Sequence, residues 1–585
     1  MPHASHTSPS RLPLILVIVL PLLALWPVVS AEFIPLDDPA NVARNPDFNP
    51  PSPGNVAHYW VEPFHNMYAP LTYTAWAGLA HLAWMPSQDA AGLQLNPYVF
   101  HAANLLVHVA NAVMVFLLLR KLAAPPWAAC AGALLFALHP MQVETVAWVT
   151  CFRDLLAAGF SLASLLAYVS HATATDRRRA TRWYVLACVL LAAALLCKPV
   201  AVVVPLVAAA IDWGVLRRPS KSKKVGVSPF RTKKGGVSPF RSAAAVAGLL
   251  LVVLPAAYVA KSVQSAELTF TPPLWLKPFI VGDALAFYVR QLLLPLKLGL
   301  DYGRSPEWLL AAPGKWWALI VFIALVALIW AFRKRTWVVA GITIFVACLL
   351  PVLGLTKFDF QHHSTVADRY AYLAMLGPAL ILAFAVRNGG RNAAVVVGAL
   401  LFALAVRSHV QTHAWRDGRS IYQSTLATNP GSLIANRGLG LLAGRSPDAE
   451  RYFLRALETK PDDPVGNFHI ANLYLATNRP AQAIPHYRTA VAARDQPWVA
   501  TNFATALART GNLTEAASVL EEALRRSPDS AELHVTLGSV RARQGDRAGA
   551  ADHYRAALRI NPKLSIAAEE LAALERATST SAPAK

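Results

Sequence analysis

The chain has 585 residues, of which 55% are apolar and only 15% charged, and its mean hydropathy is +0.39. This composition excludes an ordinary soluble multi-domain protein and indicates an integral membrane protein with several spans. The net charge of +21 comes from short Lys/Arg clusters between apolar runs. Because no single basic face results, the charge is typical of membrane loops and argues against nucleic-acid binding.

A helical membrane span needs about 20 mostly apolar residues, because backbone polar groups in hydrocarbon must bond within the helix. About eleven runs meet or approach this requirement, near residues 14–30, 98–119, 127–147, 155–170, 183–197, 199–216, 243–260, 316–332, 336–354, 370–386 and 393–410. We interpret the first run as a retained helix rather than a cleaved signal peptide, since Arg11 is the only basic residue besides histidines before it.

The loops between these runs alternate in charge. Basic clusters occur on one face, at residues 120–121, 177–182, 217–241, 333–335 and 387–391, whereas the loop 31–97 on the other face contains only Arg44. By the positive-inside rule, the sequence predicts that 217–241 is a cytoplasmic linker and 31–97 a large extracytoplasmic loop. The apolar segment 279–298 contains Asp283 and Arg290, so we predict that it is interfacial or re-entrant rather than spanning.

After the last run, a repeat appears. A small residue, an aromatic residue and an alanine recur with constant spacing at Ala449/Phe453/Ala456, Ala483/Tyr487/Ala490 and Ala550/Tyr554/Ala557, with Leu520 replacing the aromatic in the unit that begins at Ala516. The leading alanines are 34, 33 and 34 residues apart, which matches the period of tetratricopeptide (TPR) repeats, roughly 34 residues. Such an array either holds a polypeptide or serves only as a packing module or dimer contact.

The predicted architecture is therefore all-α, a polytopic membrane helix bundle followed by an α-solenoid. We expect a membrane domain at 1–412, a connecting segment at 413–428, TPR repeats with a terminal helix at 429–576, and a disordered tail at 577–585.

Polar residues at the outer ends of the spans are the candidate site. Charged groups next to hydrocarbon are costly, which makes them functional candidates; they are Asp37, Asp38, Glu144, Arg153, Asp154, Lys198, His363, Asp368 and Arg369. A carboxylate can accept a hydroxyl proton while cations hold a departing phosphate, which are the groups that sugar transfer from a polyprenyl phosphate to a hydroxyl requires.

Each of these residues also has a structural interpretation. Asp37 and Asp38 are suited to a turn or helix cap, Glu144 to a helix end, and Arg153 with Asp154 to an ion pair, within the helix or between helices, that only fixes packing. Lys198 and Arg369 are suited to anchoring at the membrane interface. His101 and His108 lie seven residues apart on one helix face, but no grouping has metal-ligand spacing. We assign no metal ligand, and the sequence leaves dependence on a divalent metal open.

The order and spacing of several blocks resemble the transmembrane and TPR-containing O-mannosyltransferase family and its bacterial relatives, over nearly the whole chain. The blocks are Leu36-Asp37-Asp38 with Asn45-Pro46, and the segments 68–73, 101–108, 138–149, 153–156, 198–199 and 367–373. Tyr68-Ala69-Pro70 replaces the family's usual Tyr-Arg-Pro, so one cationic group of the first loop is missing.

The resemblance implies a GT-C fold and a polyprenyl-phosphate mannose donor. It implies that Asp37 or Asp38 is the catalytic base, that Glu144 supports it, and that the phosphate lies among Arg153, Lys198 and Arg369. Asp154, His363 and Asp368 complete the expected substrate-binding set. The reaction expected is an inverting transfer of mannose or another hexose to Ser or Thr hydroxyls of exported proteins, with the TPR units presenting the polypeptide.

Two alternatives remain from the sequence. One is a glycosyltransferase that acts on lipid-linked oligosaccharide or cell-surface polysaccharide, and the other is a non-enzymatic, membrane-anchored TPR scaffold. We expect the protein in a bacterial inner membrane, with the active site and the repeats on the extracytoplasmic side.

Overall fold

The computed structural model describes residues 11–65, 67–89, 92–216, 239–263, 271–312, 315–493 and 496–579. These ranges consist of α-helices joined by loops and short turns, and they contain no β-strand. The chain separates into two compact units, Met1–Asn429 and Pro430–Lys585. The predicted fold class, a bundle of apolar helices followed by a helical repeat array, is confirmed.

In the part of the first unit that the structure describes, there are sixteen α-helices: α1 Leu12–Leu25, α2 Pro70–Ala83, α3 Pro97–Lys121, α4 Pro126–Leu138, α5 Val143–Ala147, α6 Phe152–Thr173, α7 Arg177–Cys197, α8 Val204–Ile211, α9 Pro239–Val263, α10 Lys277–Leu293, α11 Pro306–Ala311, α12 Trp317–Ala331, α13 Thr336–Leu349, α14 Leu376–Asn388, α15 Arg391–Thr412 and α16 Gly418–Thr428. Short 3₁₀ or π turns lie at Trp26–Ser30, Pro39–Ala43, Pro53–Trp60, Pro140–Gln142, Val149–Cys151, Pro199–Val203, Asp212–Leu216, Leu274–Leu276, Leu350–Val352, Asp359–His362, Asp368–Ala371, Leu373–Met375 and His413–Trp415.

Among the described residues, seven helical segments are long and apolar enough to cross a membrane: Leu12–Ser30, Pro97–Lys121, Val149–Thr173, Arg177–Cys197, Pro199–Leu216, Ser242–Val263 and Asn392–Trp415. Four shorter apolar helices of the same unit are Pro126–Leu138, Trp317–Ala331, Thr336–Val352 and Leu373–Asn388. Together they coincide with the runs predicted from the sequence. The run at 127–147 is interrupted at Pro140, which lacks the N–H that a continuing helix needs.

In the helix pair α6 and α7, the candidate residues lie at one end and the basic cluster that begins α7 lies at the other. Lys198 pairs with Asp154, and this contact joins the end of α7 to the beginning of α6, so the two helices are antiparallel. The arginines that begin α7, from Arg177 onward, therefore lie at the far end of the helix pair. We call the end that carries Asp154 and Lys198 the site end.

Helix α10 contacts the site end through both halves of its length. Lys277 Nζ donates to the Leu355 carbonyl (2.9 Å) and the Tyr288 hydroxyl donates to the Ala367 carbonyl (3.2 Å). Both carbonyls belong to the segment between α13 and α14. Asp283 is one of the charged residues that argue against a membrane span at 279–298. Its carboxylate is buried in an ion pair with Arg304.

Small residues let the helices of the first unit approach closely. A Cβ on Gly377 of α14 would lie 2.3 Å from the Gly341 carbonyl oxygen of α13, and a Cβ on Gly132 of α4 would lie 2.5 Å from the Ala379 carbonyl oxygen. In a membrane, van der Waals packing of this kind replaces the hydrophobic effect as a source of helix association.

The second unit consists of four antiparallel helix pairs and a terminal helix: α17 Leu433–Ala443, α18 Pro447–Thr459, α19 Pro464–Ala476, α20 Pro480–Ala493, α21 Pro497–Arg509, α22 Leu513–Arg526, α23 Ala531–Arg543, α24 Arg547–Ile560 and α25 Ser565–Ser579. The repeated alanines and aromatic residues are buried, as the repeat pattern requires. Gly440 packs against the Phe453 ring and Gly538 against the Tyr554 ring, so the same contact recurs in the first and last pairs.

Three predicted boundaries differ from the structure. The segment 413–428 was expected to connect two domains, but it belongs to the first unit, where the Tyr422 hydroxyl donates to the Pro35 carbonyl (3.0 Å). Residues 577–579 of the expected tail are helical because α25 continues to Ser579, and 580–585 lie outside the described residues. Residues 217–238 of the expected linker also lie outside them, and α9 begins at Pro239.

Candidate functional site

Five segments that are distant in sequence meet at the site end: the loop after α1, the turns between α4 and α6, the first turn of α6, the junction of α7 with the next turn, and the segment before α14. Pro39, Pro140 and Pro199 begin three of the short turns that hold these segments. Proline lacks the N–H that a continuing helix needs, so the helices end near these positions. The polar side chains of the short turns then lie in the space between helices.

Asp38 is a buried carboxylate that ties the first loop to the bundle. Its Oδ1 accepts hydrogen bonds from the Thr150 N–H (3.0 Å) and the Thr150 hydroxyl, and its Oδ2 accepts from the Ile34 N–H (2.8 Å). Burial raises the pKa of Asp38 to about 7, although the bonds from Thr150 and Ile34 lower it. The side chain has no exposed surface, so it is unsuited to touch a substrate directly.

Asp37 has the opposite environment. Its side chain is 51% exposed, and its Oδ2 lies 3.7 Å from a guanidinium nitrogen of Arg153. Arg153 is 15% exposed. Its Nη1 donates to the Met67 sulfur, a weak acceptor, and its Nε has no acceptor among the described residues. The pair therefore presents an accessible carboxylate beside a cation whose Nε is an unused donor.

Lys198 and Asp154 form a buried ion pair next to that of Asp37 and Arg153, since Arg153 and Asp154 are adjacent in the chain. Lys198 Nζ lies 2.6 and 2.8 Å from the two carboxylate oxygens of Asp154, and both side chains are largely buried. Arg153 and Lys198 are within electrostatic range of one another. Arg153 and Asp154 are adjacent in the chain, yet each forms its ion pair with a residue from another segment.

Glu144 and Arg369 form a second buried pair. Glu144 accepts a hydrogen bond from the Arg369 N–H (3.0 Å) through Oε2 and pairs with the guanidinium through Oε1. The guanidinium carbon lies 5.2, 4.3 and 4.8 Å from the ring centres of Trp148, Phe360 and Tyr370. Cation–π contacts of this kind suit the planar, weakly hydrated guanidinium group better than an ammonium.

Asp368 completes the buried part of the site. It accepts a hydrogen bond from the Tyr302 hydroxyl (2.7 Å), and Tyr302 in turn accepts from the Gln291 amide (3.1 Å) and the Gly299 N–H (3.1 Å). Burial raises the pKa of Asp368 well above its usual range, and the negative charge of Glu144 adds to this effect.

The histidines have structural contacts. His363 packs on the His362 and Phe360 rings, so it is linked to the site through the ring that contacts Arg369. His101 lies 3.3 Å from the Glu32 carbonyl oxygen, and His108 lies 2.9 Å from the Tyr372 hydroxyl. Within the described ranges, no three His, Cys, Asp or Glu residues form a group that could hold a metal ion.

Several residues of the site were missed from the sequence. Thr150 holds Asp38, and Trp148, Phe360 and Tyr302 surround Arg369 and Asp368. Thr150 directly follows the block 138–149, and Tyr302 lies close to the segment 279–298. Neither residue type is unusual near a membrane interface, so position along the chain was the only available signal.

The site as a whole consists of an exposed carboxylate, Asp37, beside Arg153, whose Nε has no acceptor among the described residues. The buried ion pairs of Lys198 with Asp154 and of Arg369 with Glu144 surround them. A carboxylate in this setting can accept a proton from a hydroxyl, and the cation can stabilise a departing anion. Buried pairs hold such groups in place because breaking one leaves an uncompensated charge.

The family model for tetratricopeptide repeats matches residues 404–464 and 501–565. The chain is 30% identical over 275 residues to the protein O-mannosyl-transferase Tmtc2 of Drosophila melanogaster, a match that covers 46% of this chain and 28% of that protein. It is 25% identical over 450 residues to the human protein O-mannosyl-transferase TMTC4 (67% of this chain, 59% of that protein). It is 22% identical over 589 residues to human TMTC3 (92% of this chain, 63% of that protein).

The matches to these three relatives each cover less than two thirds of the relative's length. The match to TMTC3 nevertheless extends over almost all of this chain, membrane unit and repeats included. The resemblance seen in the sequence blocks is confirmed: the chain is similar to the TMTC protein O-mannosyl-transferases and carries tetratricopeptide repeats.

Proposed function

We propose that the protein is a membrane glycosyltransferase that transfers mannose or another hexose from a polyprenyl-phosphate donor to Ser or Thr hydroxyls of exported proteins. The names of the relatives support an acceptor that is a protein. The observation that carries the proposal is the pair of Asp37 and Arg153, an accessible base beside a cation whose Nε is unused, on a buried and ion-paired frame.

In the proposed reaction, Asp37 accepts the proton of the acceptor hydroxyl while the hydroxyl oxygen bonds to the anomeric carbon of the sugar. The bond between that carbon and the phosphate oxygen breaks, and its electron pair leaves with the lipid phosphate. Attack from the face opposite the phosphate inverts the anomeric configuration. Asp38 positions the loop that carries Asp37 rather than touching the substrate, since it is fully buried.

Arg153 is the cation best placed to hold the departing phosphate. Lys198 and Arg369 are already neutralised by Asp154 and Glu144. Recruiting either cation to a phosphate would leave a buried carboxylate unpaired, at a cost of about 3–5 kcal/mol. We assign these two a positioning role and assign the phosphate contact to Arg153, whose Nε has no acceptor among the described residues.

The repeats would present the polypeptide on the same side of the membrane as the site. Between α15 and α16, the Arg416 carbonyl accepts a hydrogen bond from the N–H of Glu32, which lies five residues before Asp37 in the chain (2.9 Å). Helix α16 stays at the site end, where Tyr422 contacts Pro35. The chain thus leaves the first unit at the site end, which supports repeats on the same side of the membrane as the site. We place that side outside the cytoplasm, in a bacterial inner membrane.

The decisive experiment compares the purified full-length protein with its Asp37→Asn variant in a transfer assay that uses a polyprenyl-phosphate hexose and a Ser/Thr peptide. Because Asp37 is exposed, we expect the variant to keep its thermal unfolding midpoint and to lose transfer at least about 100-fold. Full transfer by Asp37→Asn would refute the assignment of the base. Incorporation into polysaccharide but not into peptide would favour the carbohydrate-acceptor alternative.

A further inference from the structure

A cavity of about 300 Å³ lies at the site end, between the turn before α10 and the segment that follows α13. Its wall combines two ammonium groups with apolar surface. The lining includes Lys277, Lys357, Leu274, Leu355 and Gln361, and no carboxylate is among the described residues that line it. This chemistry suits a ligand with an anionic head and an apolar body.

The cavity contains a buried donor with no acceptor. Gln361 is 2% exposed, and its Nε2 donates to no group of the described residues. The amide nitrogen lies 2.8 Å from the position that a Cβ on Gly354 would take, and Gly354 has a φ of +82°. Because Gly354 has no side chain, the Gln361 amide can occupy this position at the cavity wall. A buried donor without an acceptor costs free energy unless a ligand supplies the acceptor.

Exposed aromatic and apolar residues place the cavity at the level of a membrane interface. Leu274 in its wall is 81% exposed and the neighbouring Trp275 is 55% exposed, while Trp316 is 66% exposed and its ring centre lies 5.1 Å from that of Phe279. Tryptophan is enriched where hydrocarbon meets the headgroup layer. A ligand that reaches the cavity from this surface is a lipid rather than a freely dissolved ion.

We infer that this cavity binds the phosphate ester of a membrane lipid, with Lys277 and Lys357 on the phosphate oxygens, Gln361 donating to one of them, and the acyl or prenyl chain along Leu274 and Leu355. The site is separate from Arg153 and does not depend on the proposed transfer reaction. It adjoins the catalytic frame, because Phe360, next to Gln361, packs on the Arg369 guanidinium.

The test measures binding to the full-length protein in detergent by native mass spectrometry. The probes are dihexanoyl phosphatidic acid, dihexanoylglycerol and inorganic phosphate. The variants are Lys357→Ala, Lys277→Ala with Lys357→Ala, and Lys315→Ala as a matched control. Lys315 Nζ donates to the Leu310 carbonyl (2.6 Å), as Lys277 does to Leu355, but it does not line the cavity.

We expect phosphatidic acid to bind the wild type and the Lys315→Ala variant equally, and the double variant at least about tenfold more weakly. Lys357→Ala alone is expected to fall between them, and it decides the question if the double variant fails to fold. Equal binding of phosphatidic acid to all variants, or equal binding of dihexanoylglycerol, would overturn the inference. Inorganic phosphate that competes at the same concentration would reassign the cavity from a lipid to free phosphate.

Discussion

Asp37 and Asp38 are adjacent in the chain but face different surroundings, because neighbouring side chains in an irregular loop project in different directions. Asp38 accepts three hydrogen bonds inside the protein, whereas Asp37 lies half exposed beside Arg153. The sequence indicates that the pair is important but not which member is accessible, since both have the same chemistry. The structure assigns one to positioning and leaves the other for the substrate.

The pKa of Asp38 leads to a prediction about stability and pH. Burial raises this pKa from 3.8 to about 7, so between these values the folded chain holds a proton that the unfolded chain has lost. The contribution of Asp38 to stability is therefore complete below about pH 4 and is lost as pH rises through about 7, with a slope of at most about 1.4 kcal/mol per pH unit.

Asp38→Asn does not titrate, and its amide oxygen can still accept from Thr150. The difference in unfolding free energy, wild type minus variant, should therefore decrease as pH rises from 4 to 8. Thermal unfolding of both proteins in detergent at several pH values measures this difference. A difference that is constant over the range would show that burial does not raise the pKa of Asp38.

The pair of Glu144 and Arg369 leads to a second prediction at the residue scale. Glu144→Gln leaves the buried guanidinium without a countercharge, and we expect a loss of about 3–5 kcal/mol in stability. The exposed pair of Arg488 and Glu515 provides the control, since Glu515→Gln should cost only about 0–1 kcal/mol. Unfolding free energies in detergent compare the two, and equal losses would contradict the structural role of the buried pair.

At the scale of elements, the helices follow from apolar periodicity and their ends from proline and charge. The division of the run 127–147 at Pro140 follows from the chemistry of proline. The ion-pair partners did not follow from the sequence: it left open whether Arg153 and Asp154 pair within their helix or with other helices, and both pair with other segments. Pairing depends on which helices are adjacent, and apolar runs of similar length and hydropathy do not specify their neighbours.

Helices α13 and α14 cross closely at Gly377 and Gly341. A substitution there tests whether the packing of these helices supports the site. A Cβ on Gly377 would meet the Gly341 carbonyl oxygen at 2.3 Å and the Phe345 nitrogen at 2.9 Å, so backbone would have to move. We expect Gly377→Ala to destabilise the protein by about 1–3 kcal/mol. Because α14 directly follows the segment of Asp368 and Arg369, transfer activity should fall as well.

Gly398 of α15 is the matched control, because a Cβ there meets nothing within 4 Å. Gly398→Ala should leave the unfolding midpoint within about 1 °C of the wild type or raise it slightly, since alanine favours helix. If both alanine variants unfold like the wild type, α13 and α14 are not as close as the structure has them.

At the scale of the whole molecule, the sequence predicts the apolar helices, the repeat array and the separation of basic clusters from candidate residues. These features depend on local composition and period, which are readable along the chain. The boundary between the units was harder to place. Residues 413–428 have the amphipathic pattern of the repeat helices, but they pack on the first unit through Tyr422. The sequence pattern shows that a helix has an apolar face, but it does not show which surface packs against that face.

Sidedness is the property of the whole molecule on which the proposed function depends, and thiol labelling in intact cells tests it. We expect a membrane-impermeant maleimide to label His58→Cys in the first loop and Arg451→Cys in the repeats, but not Lys334→Cys in the basic cluster before α13. His58 and Arg451 have side-chain exposures of 43% and 54%, so both are accessible to the reagent. The wild type is the background control, since Cys188 is half-buried and its other four cysteines are buried.

The three positions together distinguish the topologies. Labelling of positions 58 and 451 alone fits a site and a repeat array that share the extracytoplasmic side, as presentation of an exported polypeptide requires. Labelling of 58 without 451 would place the repeats in the cytoplasm, where they could not deliver an acceptor to Asp37. Labelling of 334 alone would reverse the bundle and contradict the positive-inside rule, and the proposed acceptor would then have to be a cytoplasmic one.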